Sequence, residues 1–309
     1  MGAFILRRLL WLPFLLLIVS LVTFALGTYG PGDPVEVRLG TRANPETVAR
    51  LRQQMGLERP FFVQWGDYVR KAVKGDFGES YTFRGQTVSG LVAKKIWVSA
   101  QLTFAAMFIG IGLGIPLGLL AALKQGTWLD GALVSFALFF NATPVFITAP
   151  VLIILFALKL HLVPTGGWDG LFSTQIIMPA LVMGLPGIAG LARMTRASAL
   201  EVLGQDYIRT ARAKGLTEFT IQVRHVLRNA LIPVITILGL SLAGLVEGAF
   251  ITETIFGIPG IGRLAVESIG QRDYPVIMAL TLIPACALVM AVLISDILYA
   301  VVDPRIRYT

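Results

Sequence analysis

The chain has 309 residues, of which 55% are hydrophobic and 14% charged, with a mean hydropathy of +0.75 and a net charge of +8. Soluble globular proteins usually carry about 25% charged residues, so this composition excludes an ordinary soluble enzyme and a disordered protein. The single cysteine, Cys286, excludes an internal disulfide. The absence of any Gly-Lys dipeptide excludes a P-loop, and with it P-loop hydrolysis of ATP by this chain.

Six apolar runs are long enough to cross a bilayer, which needs about 20 mostly apolar residues each time. The first, Leu9 to Leu26, is longer than the core of a signal peptide and is interpreted as a retained span. The others cover residues of about 99–123, 131–158, 176–192, 229–252 and 276–302; the fourth is short and is interrupted by Pro186. The sequence therefore predicts an all-α polytopic membrane protein with six transmembrane helices.

The distribution of lysine and arginine predicts the orientation. With a cytoplasmic N-terminus, the inside segments 1–8, 123–130, 193–228 and 303–309 hold 12 basic residues in 59 positions. The two short outside loops, 159–175 and 253–275, hold 3 in 40. Basic residues favour the cytoplasmic side, so both ends are expected inside the cell. The predicted domains are a first transmembrane helix (1–29), an extracytoplasmic domain (30–98), and a five-helix core (99–309) with a cytoplasmic loop at 193–228.

The extracytoplasmic segment 30–98 is expected to fold as a small helical domain. Asn44-Pro45-Glu46 has the pattern of a helix start, and this helix should end near Met55, before Gly56. Pro60 begins a second candidate helix. Apolar stripes mark this helix (Phe61, Trp65, Tyr68, Val69) and a lead-in to the second span (Val88, Leu91, Val92, Ile96). Such a domain either only seals an outer opening or also touches a soluble partner.

In the second span, Gly110, Gly114 and Gly118 recur at every fourth position, with Gly112 between the first two. A dinucleotide-binding motif would need a soluble strand–turn–helix unit around the glycines, and none is predicted here. Small residues spaced by four let another helix approach closely in lipid. We therefore interpret this stripe as a packing surface.

The inside loop 193–228 contains a short predicted helix. Gln205-Asp206 can cap a helix from Tyr207 to Lys214, and Gly215 is placed to end it. Ile208, Ala211 and Leu216 would form a small apolar side among basic residues. Two interpretations remain open at this point: a solvated basic loop that only fixes topology, or a helix that docks into a groove of another protein.

The residues of this loop closely resemble a known family. The stretch Asp206-Tyr207-Ile208-Arg209-Thr210-Ala211-Arg212-Ala213-Lys214-Gly215-Leu216, followed by Leu227 to Pro233, resembles the coupling loop of binding-protein-dependent ABC importer permeases of the dipeptide and oligopeptide type. The general motif of these loops begins Glu-Ala-Ala, where this chain has Arg209-Thr210-Ala211. Gly215 stands at the matching spacing.

Four other strings resemble the same family, in the same order along the chain. They are Pro31-Gly32-Asp33-Pro34, Gly75-Asp76-Phe77-Gly78-Glu79-Ser80, the run from Thr252 to Gly262, and the terminal run from Asp303 to Tyr308. Each string is short, but their shared order covers nearly the whole chain.

The resemblance implies a type I importer permease fold in the plasma membrane of a prokaryotic cell. It also implies a second similar permease, two cytoplasmic ATPase subunits and an external solute-binding protein, with peptides as cargo. Residues 206–216 would be the ATPase-coupling segment. No cofactor is expected in this chain, since ATP and Mg²⁺ would lie on the partner subunits. No nucleic acid is expected, because most of the net positive charge lies in the inside segments.

Polar residues within the apolar runs are candidates for a solute pathway. Asn141, Glu247 and Asp296 are costly in lipid unless they are shielded, so each should face a pore, another subunit or the interface. Asn141 and Glu247 are the pathway candidates, with interhelical hydrogen bonding as the alternative role.

Two alternatives to peptide import remain open. Similar permeases carry nickel chelates, glutathione or oligosaccharides, and cargo cannot be read from this chain. A self-sufficient secondary transporter would need internal repeats and an ion site within one chain. Neither is evident here.

Overall fold

A computed structural model describes the backbone of residues 2–30, 34–39, 44–241 and 248–302. Within these ranges, side chains are not described at 2–10, 34, 36, 38, 236–237, 239–241 and 294–302. Glu247, residues 31–33 and residues 303–309, all singled out by the sequence, therefore lie outside the described residues, as does the Asp296 side chain.

Every regular element in the described ranges is helical, apart from one isolated antiparallel bridge between Glu79 and Thr87. The α-helices are α1 (Gly2–Tyr29), α2 (Pro34–Leu39), α3 (Pro45–Gln54), α4 (Phe61–Ala72), α5 (Val88–Leu123), α6 (Trp128–Ala142), α7 (Val145–Leu152), α8 (Ile177–Leu203), α9 (Asp206–Ala213), α10 (Glu218–Thr220), α11 (Arg228–Ser241), α12 (Phe250–Phe256), α13 (Ile261–Gln271) and α14 (Tyr274–Val302). Two π-helical stretches, Ile153–Lys159 and Ile221–Leu227, and a 3-10 turn, Thr174–Ile176, complete the set. The prediction of an all-α chain is confirmed.

Residue contacts divide the chain into two compact units. The first contains α1 to α4, the start of α5 up to Ser99, α13 and α14. The second contains the rest of α5, the helices α6 to α11, and α12 from Ile251 onward.

The core of the first unit forms where three helices meet. The start of α5 supplies the predicted lead-in stripe, and α13 and α14 pack against it; the buried members are Val88, Leu91, Val92, Ile261, Leu264, Ala265, Val276, Ala279 and Leu280. The predicted helices of the extracytoplasmic segment are also present. The Asn44 side chain caps α3 by accepting a hydrogen bond from the Glu46 amide at 3.1 Å, and α4 begins directly after Pro60.

Asp273 anchors the loop that contains the Gly75-to-Ser80 string. Its carboxylate is fully buried; it accepts a short hydrogen bond from the Ser80 hydroxyl and bonds from the Tyr81 and Thr82 amides at 3.1 and 3.2 Å. The Ser80 oxygen in turn accepts from the Phe83 amide at 2.8 Å. These bonds tie the loop before α5 to the start of α14, so the string has a structural role inside the first unit.

The glycine stripe of α5 packs against α8 in the second unit. A Cβ built at Gly118 would lie 2.4 Å from the Ala192 carbonyl oxygen, and one at Gly114 would lie 2.8 Å from the Leu191 Cβ. At Gly110 the nearest atom is 3.7 Å away, and at Gly112 nothing lies within 4 Å. The packing interpretation is confirmed, and the approach tightens toward Gly118.

Four helices among the described residues are long and apolar enough to cross a membrane. They occupy Trp11–Tyr29, Val88–Leu123, Thr174–Leu203 and Tyr274–Leu293. The predicted span 229–252 includes residues outside the described ranges, so the count of six and the cytoplasmic ends stay predictions.

The predicted span at 131–158 is broken into two helical segments that together are long and apolar enough to cross a membrane. The chain bends by 108° between α6 and the helical segment Val145–Lys159. Thr143 is extended, with φ −86° and ψ 119°, and Pro144 precedes the first residue of α7. Proline disfavours the helical conformation of the residue before it, which explains the break.

The helix at the fourth predicted span, 176–192, is longer than predicted. Pro186 lies inside α8 without ending it, and α8 continues to Leu203, well into the predicted loop 193–228. Helices packed around a membrane span can compensate the hydrogen bond that a proline removes. Here α6, α7 and α11 all pack against α8. The predicted cytoplasmic loop 193–228 therefore begins with about ten residues of continuing helix.

Candidate functional site

The residues predicted to couple this chain to an ATPase, 206–216, form a helix and a tight turn beyond the end of α8. Helix α9 covers Asp206–Ala213, one residue earlier at each end than predicted. Gln205 precedes the helix, but its side chain donates to the Glu201 carbonyl at 3.4 Å and does not cap α9. The capping role expected for Gln205 is therefore wrong.

Gly215 makes the turn that follows α9. Its φ is +78°, a conformation that glycine adopts without steric cost, and its amide donates to the Arg212 carbonyl at 2.9 Å. Arg212 then pairs with Glu218 across the turn, with 2.8 Å between Nε and Oε1. The Glu218 carboxylate raises the pKa of the Arg212 guanidinium, because it stabilises the charged form. The predicted end of the helix at Gly215 is confirmed.

The inner face of α9 packs on the chain itself. Ile208 is fully buried and Ala211 nearly so, in a cluster with Ala122, Ala199, Ile221, Val226 and Ala230. The predicted apolar side is therefore present, but Ile208 and Ala211 use it within the chain. They seat α9 mainly on the π-helical stretch Ile221–Leu227, which in turn contacts α8 and α11.

The outer face of the 206–216 segment is accessible and mixed in character. The Asp206 and Arg209 side chains are largely exposed, and Tyr207 is held by a 3.2 Å hydrogen bond from the Asn229 side chain to its hydroxyl. Leu216 is the member of the predicted apolar side that does remain exposed. Charges and a fixed aromatic ring thus form the surface that a partner would meet.

Sequence reasoning missed three exposed apolar residues at and just after the end of this segment. Leu216 precedes the extended Thr217, Phe219 lies in α10 and Val223 lies in the π-helical stretch; all three are exposed, Phe219 by 75%. Large exposed apolar residues in a polar setting are typical of interaction sites. The apolar residue types were visible in the sequence, but they begin at the last residue of the resembling string and run past it.

A partly buried ion pair joins α6 and α8. Arg196 on α8 donates to both carboxylate oxygens of Asp130, in the first turn of α6, at 2.7 and 2.8 Å. The Gly126 amide also donates to Asp130, at 3.1 Å. Bidentate pairs of this kind fix geometry as well as charge, so this pair fixes α6 against α8 near the start of α6.

The two pathway candidates have different outcomes. Asn141 lies exposed in the last turn of α6, two residues before the break at Thr143–Pro144. Glu247 lies outside the described residues. The shared role of the two residues therefore stays a prediction.

No group of three or more His, Cys, Asp or Glu side chains among the described residues has the arrangement of a metal site. What the 193–228 region offers instead is a mechanical arrangement. Helix α9 packs on the π-helical stretch Ile221–Leu227, which contacts α8, and α8 is 27 residues long and so extends about 40 Å.

Comparison with known proteins agrees with this architecture. The family model described as binding-protein-dependent transport system inner membrane component matches residues 114–308. The model of the N-terminal region of such membrane components matches residues 1–87.

Curated relatives align along the full length. The oligopeptide transport system permease protein OppB of Escherichia coli K12 is 40% identical over 99% of both chains. AppB of Bacillus subtilis, an oligopeptide transport system permease protein, is 38% identical over 100% of both. The probable peptide ABC transporter permease protein y4tP of Sinorhizobium fredii is 36% identical, also over 100% of both.

A solved structure of the MetNI methionine ABC transporter in an inward-facing conformation has a similar fold. The TM-score is 0.56 at 18% identity, covering 69% of this chain and 96% of that one. The helical architecture and both family matches place this multi-span protein in the inner membrane. The chain belongs to the family of inner membrane permease components of binding-protein-dependent ABC importers.

Proposed function

We propose that this chain is a permease subunit of an ATP-driven importer that moves di- and oligopeptides delivered by an external solute-binding protein. The observation that supports peptides as the cargo is the full-length similarity, at 36 to 40% identity, to three relatives named for peptide or oligopeptide transport. The transport role itself follows from the family.

ATP hydrolysis belongs to separate subunits in this proposal. The chain contains no P-loop, and ATP and Mg²⁺ would be held by two cytoplasmic ATPase subunits. Residues 206–216 would contact one of them through Tyr207, Arg209 and Leu216. Their inner neighbours Ile208 and Ala211 would pass the resulting movement to the π-helical stretch Ile221–Leu227, on which α9 packs and which contacts α8.

The transport pathway would form between this chain and a second, similar permease. Asn141 supports this arrangement, because it is a polar side chain exposed within an apolar region, where lipid contact would be costly. Glu247 is proposed for the same pathway from the sequence alone. ATP-driven closure of the ATPase pair would switch the assembly between outward- and inward-facing states, a rigid-body transition.

Two experiments test the proposal at different levels. Purification of the tagged chain from its own membranes should bring down ATPase subunits and a second permease. If the chain purifies alone and transports solute in vesicles without ATP, it is a stand-alone transporter and the importer assignment is wrong.

Cargo is tested separately on the binding protein that stimulates ATP hydrolysis by the purified complex. Its ligands are measured by calorimetry with di- to pentapeptides, a nickel chelate, glutathione and an oligosaccharide. Peptide binding supports the proposal. Binding of one of the other ligands, with none of peptides, would keep the importer and remove the peptide cargo.

A further inference from the structure

Helix α4 has a wider apolar surface than its contacts within the chain require. One side packs on α1: Phe61 and Tyr68 contact the Phe24 ring at centroid distances of 5.5 Å, and the Trp65 indole donates to the Ser20 hydroxyl at 3.2 Å. Burial on this side raises the pKa of Tyr68 to about 12, as expected for a phenol shielded from water.

A second stripe runs along the neighbouring side of α4. Phe62, Val69 and Val73 follow the helical spacing i, i+7, i+11, and Gly66 lies between them. Phe62 is 70% exposed and Val73 is 83% exposed. Among the described residues this stripe has no apolar cover at Phe62 and Val73, and exposed apolar stripes of this kind are typical of interaction surfaces.

The position of α4 along α1 identifies that neighbour. Its contacts on α1 run from Ser20 to Tyr29, where Phe61 stacks on the Tyr29 ring. Nine residues of helix cover about 14 Å, so α4 lies beside the last third to half of a membrane-crossing helix. At that level the surroundings are the headgroups and the upper acyl chains of one leaflet.

The charges around α4 fit the same environment. Asp67 and Lys71 lie on the opposite side from the stripe and line a cavity of about 680 Å³. Arg70 and Lys74 are exposed next to the apolar stripe, where long basic side chains can reach lipid phosphates. The adjacent helix α1, a candidate membrane span, also has exposed apolar residues at this end, Val22 and Leu26.

We propose that α4 is an interfacial helix, lying in the membrane surface at the end of α1 marked by Tyr29, with Phe62, Val69 and Val73 inserted among lipid acyl chains. A helix with one apolar side and basic flanks binds membranes in this way. The segment between α1 and α5 is then held at a fixed depth in the bilayer. This inference does not depend on the cargo or on the ATPase partner.

Spin-label accessibility in membranes tests the proposal. Cys286 is first replaced by alanine, and single cysteines are then introduced as Phe62→Cys, Val73→Cys and Lys74→Cys. The labelled full-length chain, with the subunits that accompany it, is reconstituted in vesicles of phosphatidylethanolamine and phosphatidylglycerol. Oxygen concentrates in the acyl region, whereas a nickel chelate stays in water, so the ratio of their collision rates reports depth.

The ratio of oxygen to nickel accessibility should be several-fold higher at positions 62 and 73 than at position 74. Lys74 is the matched control, because it is adjacent to Val73 in sequence and about 100° away around the helix. Preferential access by the nickel chelate at 62 and 73 would place the stripe in water and overturn the proposal. Protection of both positions from both reagents would mean that a protein subunit covers the stripe, which also overturns it.

Val73→Cys keeps the test decisive even where Phe62→Cys fails to fold. Val73 directly follows α4 and is the more exposed of the two, so its truncation removes little packing within the chain. Its label alone distinguishes lipid, water and protein surroundings.

Discussion

Replacing Gly118 by alanine should force α5 and α8 apart. The added Cβ would lie 2.4 Å from the Ala192 carbonyl oxygen and 2.8 Å from the Thr195 Cβ, whereas ordinary contacts begin at 3.4 Å. The shortfall is therefore about 1 Å against backbone atoms, which cannot rotate away as a flexible side chain can. Overpacking of this kind costs about 1–3 kcal/mol, against a gain of up to about 1 kcal/mol in helix propensity on replacing glycine.

The same helix offers matched controls for this substitution. Gly112→Ala meets nothing within 4 Å, and Gly110→Ala meets its nearest atom at an ordinary 3.7 Å, so both should be neutral or slightly stabilising. Gly114→Ala, with Leu191 Cβ at 2.8 Å, should fall between these controls and Gly118→Ala. The order of the four variants is the prediction, because each gains the same helix propensity and differs mainly in the space available.

The assay is thermal unfolding of the purified complex in detergent, followed by ATP-driven uptake in vesicles. Gly118→Ala should unfold several degrees below the parent protein and lose uptake, while Gly112→Ala retains both properties. Equal stability of Gly118→Ala and Gly112→Ala would refute the close approach of α5 to α8.

Three further sets of variants test the turn at Gly215, the Asp130–Arg196 ion pair and the exposed Phe219. Gly215→Val should lower uptake and uncouple it from ATP hydrolysis, since a β-branched residue at φ +78° costs about 1–2 kcal/mol. Gly215→Asn should retain most uptake, because asparagine tolerates this conformation better. Equal uptake by the two variants would refute a backbone role for Gly215. Asp130→Ala and Arg196→Ala should each lower the unfolding temperature, and the double variant should lose less than the sum; strictly additive losses would show that the pair is not coupled. Phe219→Ser should leave stability unchanged but reduce the amount of ATPase that co-purifies about tenfold or more. The control, Phe172→Ser on the predicted outside loop, should not change it. Equal amounts of ATPase with both variants would exclude Phe219 from the interface.

Local chemistry explains which parts of the fold were predictable from the sequence. The cap at Asn44, the helix start after Pro60 and the turn at Gly215 each depend on a residue's own backbone preferences, and all three are present as expected. The glycine stripe was also readable, because spacing by four places residues on one face of a helix whatever that face touches.

The effect of each proline was not predictable, because it depends on the surroundings. Pro144 follows an extended Thr143 and marks a 108° bend, whereas Pro186 lies inside a continuous helix. Both remove one backbone donor. What differs is the packing. The helices α6, α7 and α11 contact α8, and these contacts between distant segments are not visible in the local sequence around Pro186.

Contacts between residues far apart in the sequence were not predictable either. Asp273 and Ser80 are 193 positions apart, and Arg196 and Asp130 are 66 apart, so nothing in either local pattern indicates the other residue. The amphipathic pattern of α9 likewise predicted an apolar face but not its neighbour. Ile208 and Ala211 found that neighbour within the chain, and the exposed residues Leu216, Phe219 and Val223 went unassigned.

The proposed coupling role requires α9 to move together with the helices beneath it. The buried contacts of α9 favour such joint movement. Pulling α9 away would expose Ile208, Ala211 and Ala199 to water, and full burial of one residue of isoleucine size contributes about 1.5–3 kcal/mol. The turn at Gly215 makes no comparable contact, since nothing lies within 4 Å of its would-be Cβ. In the proposed coupling role, force applied at the outer face would therefore be opposed by the packed inner face and would reach α8 through the π-helical stretch that contacts both helices. The close contact at Gly118 would then link α8 to α5.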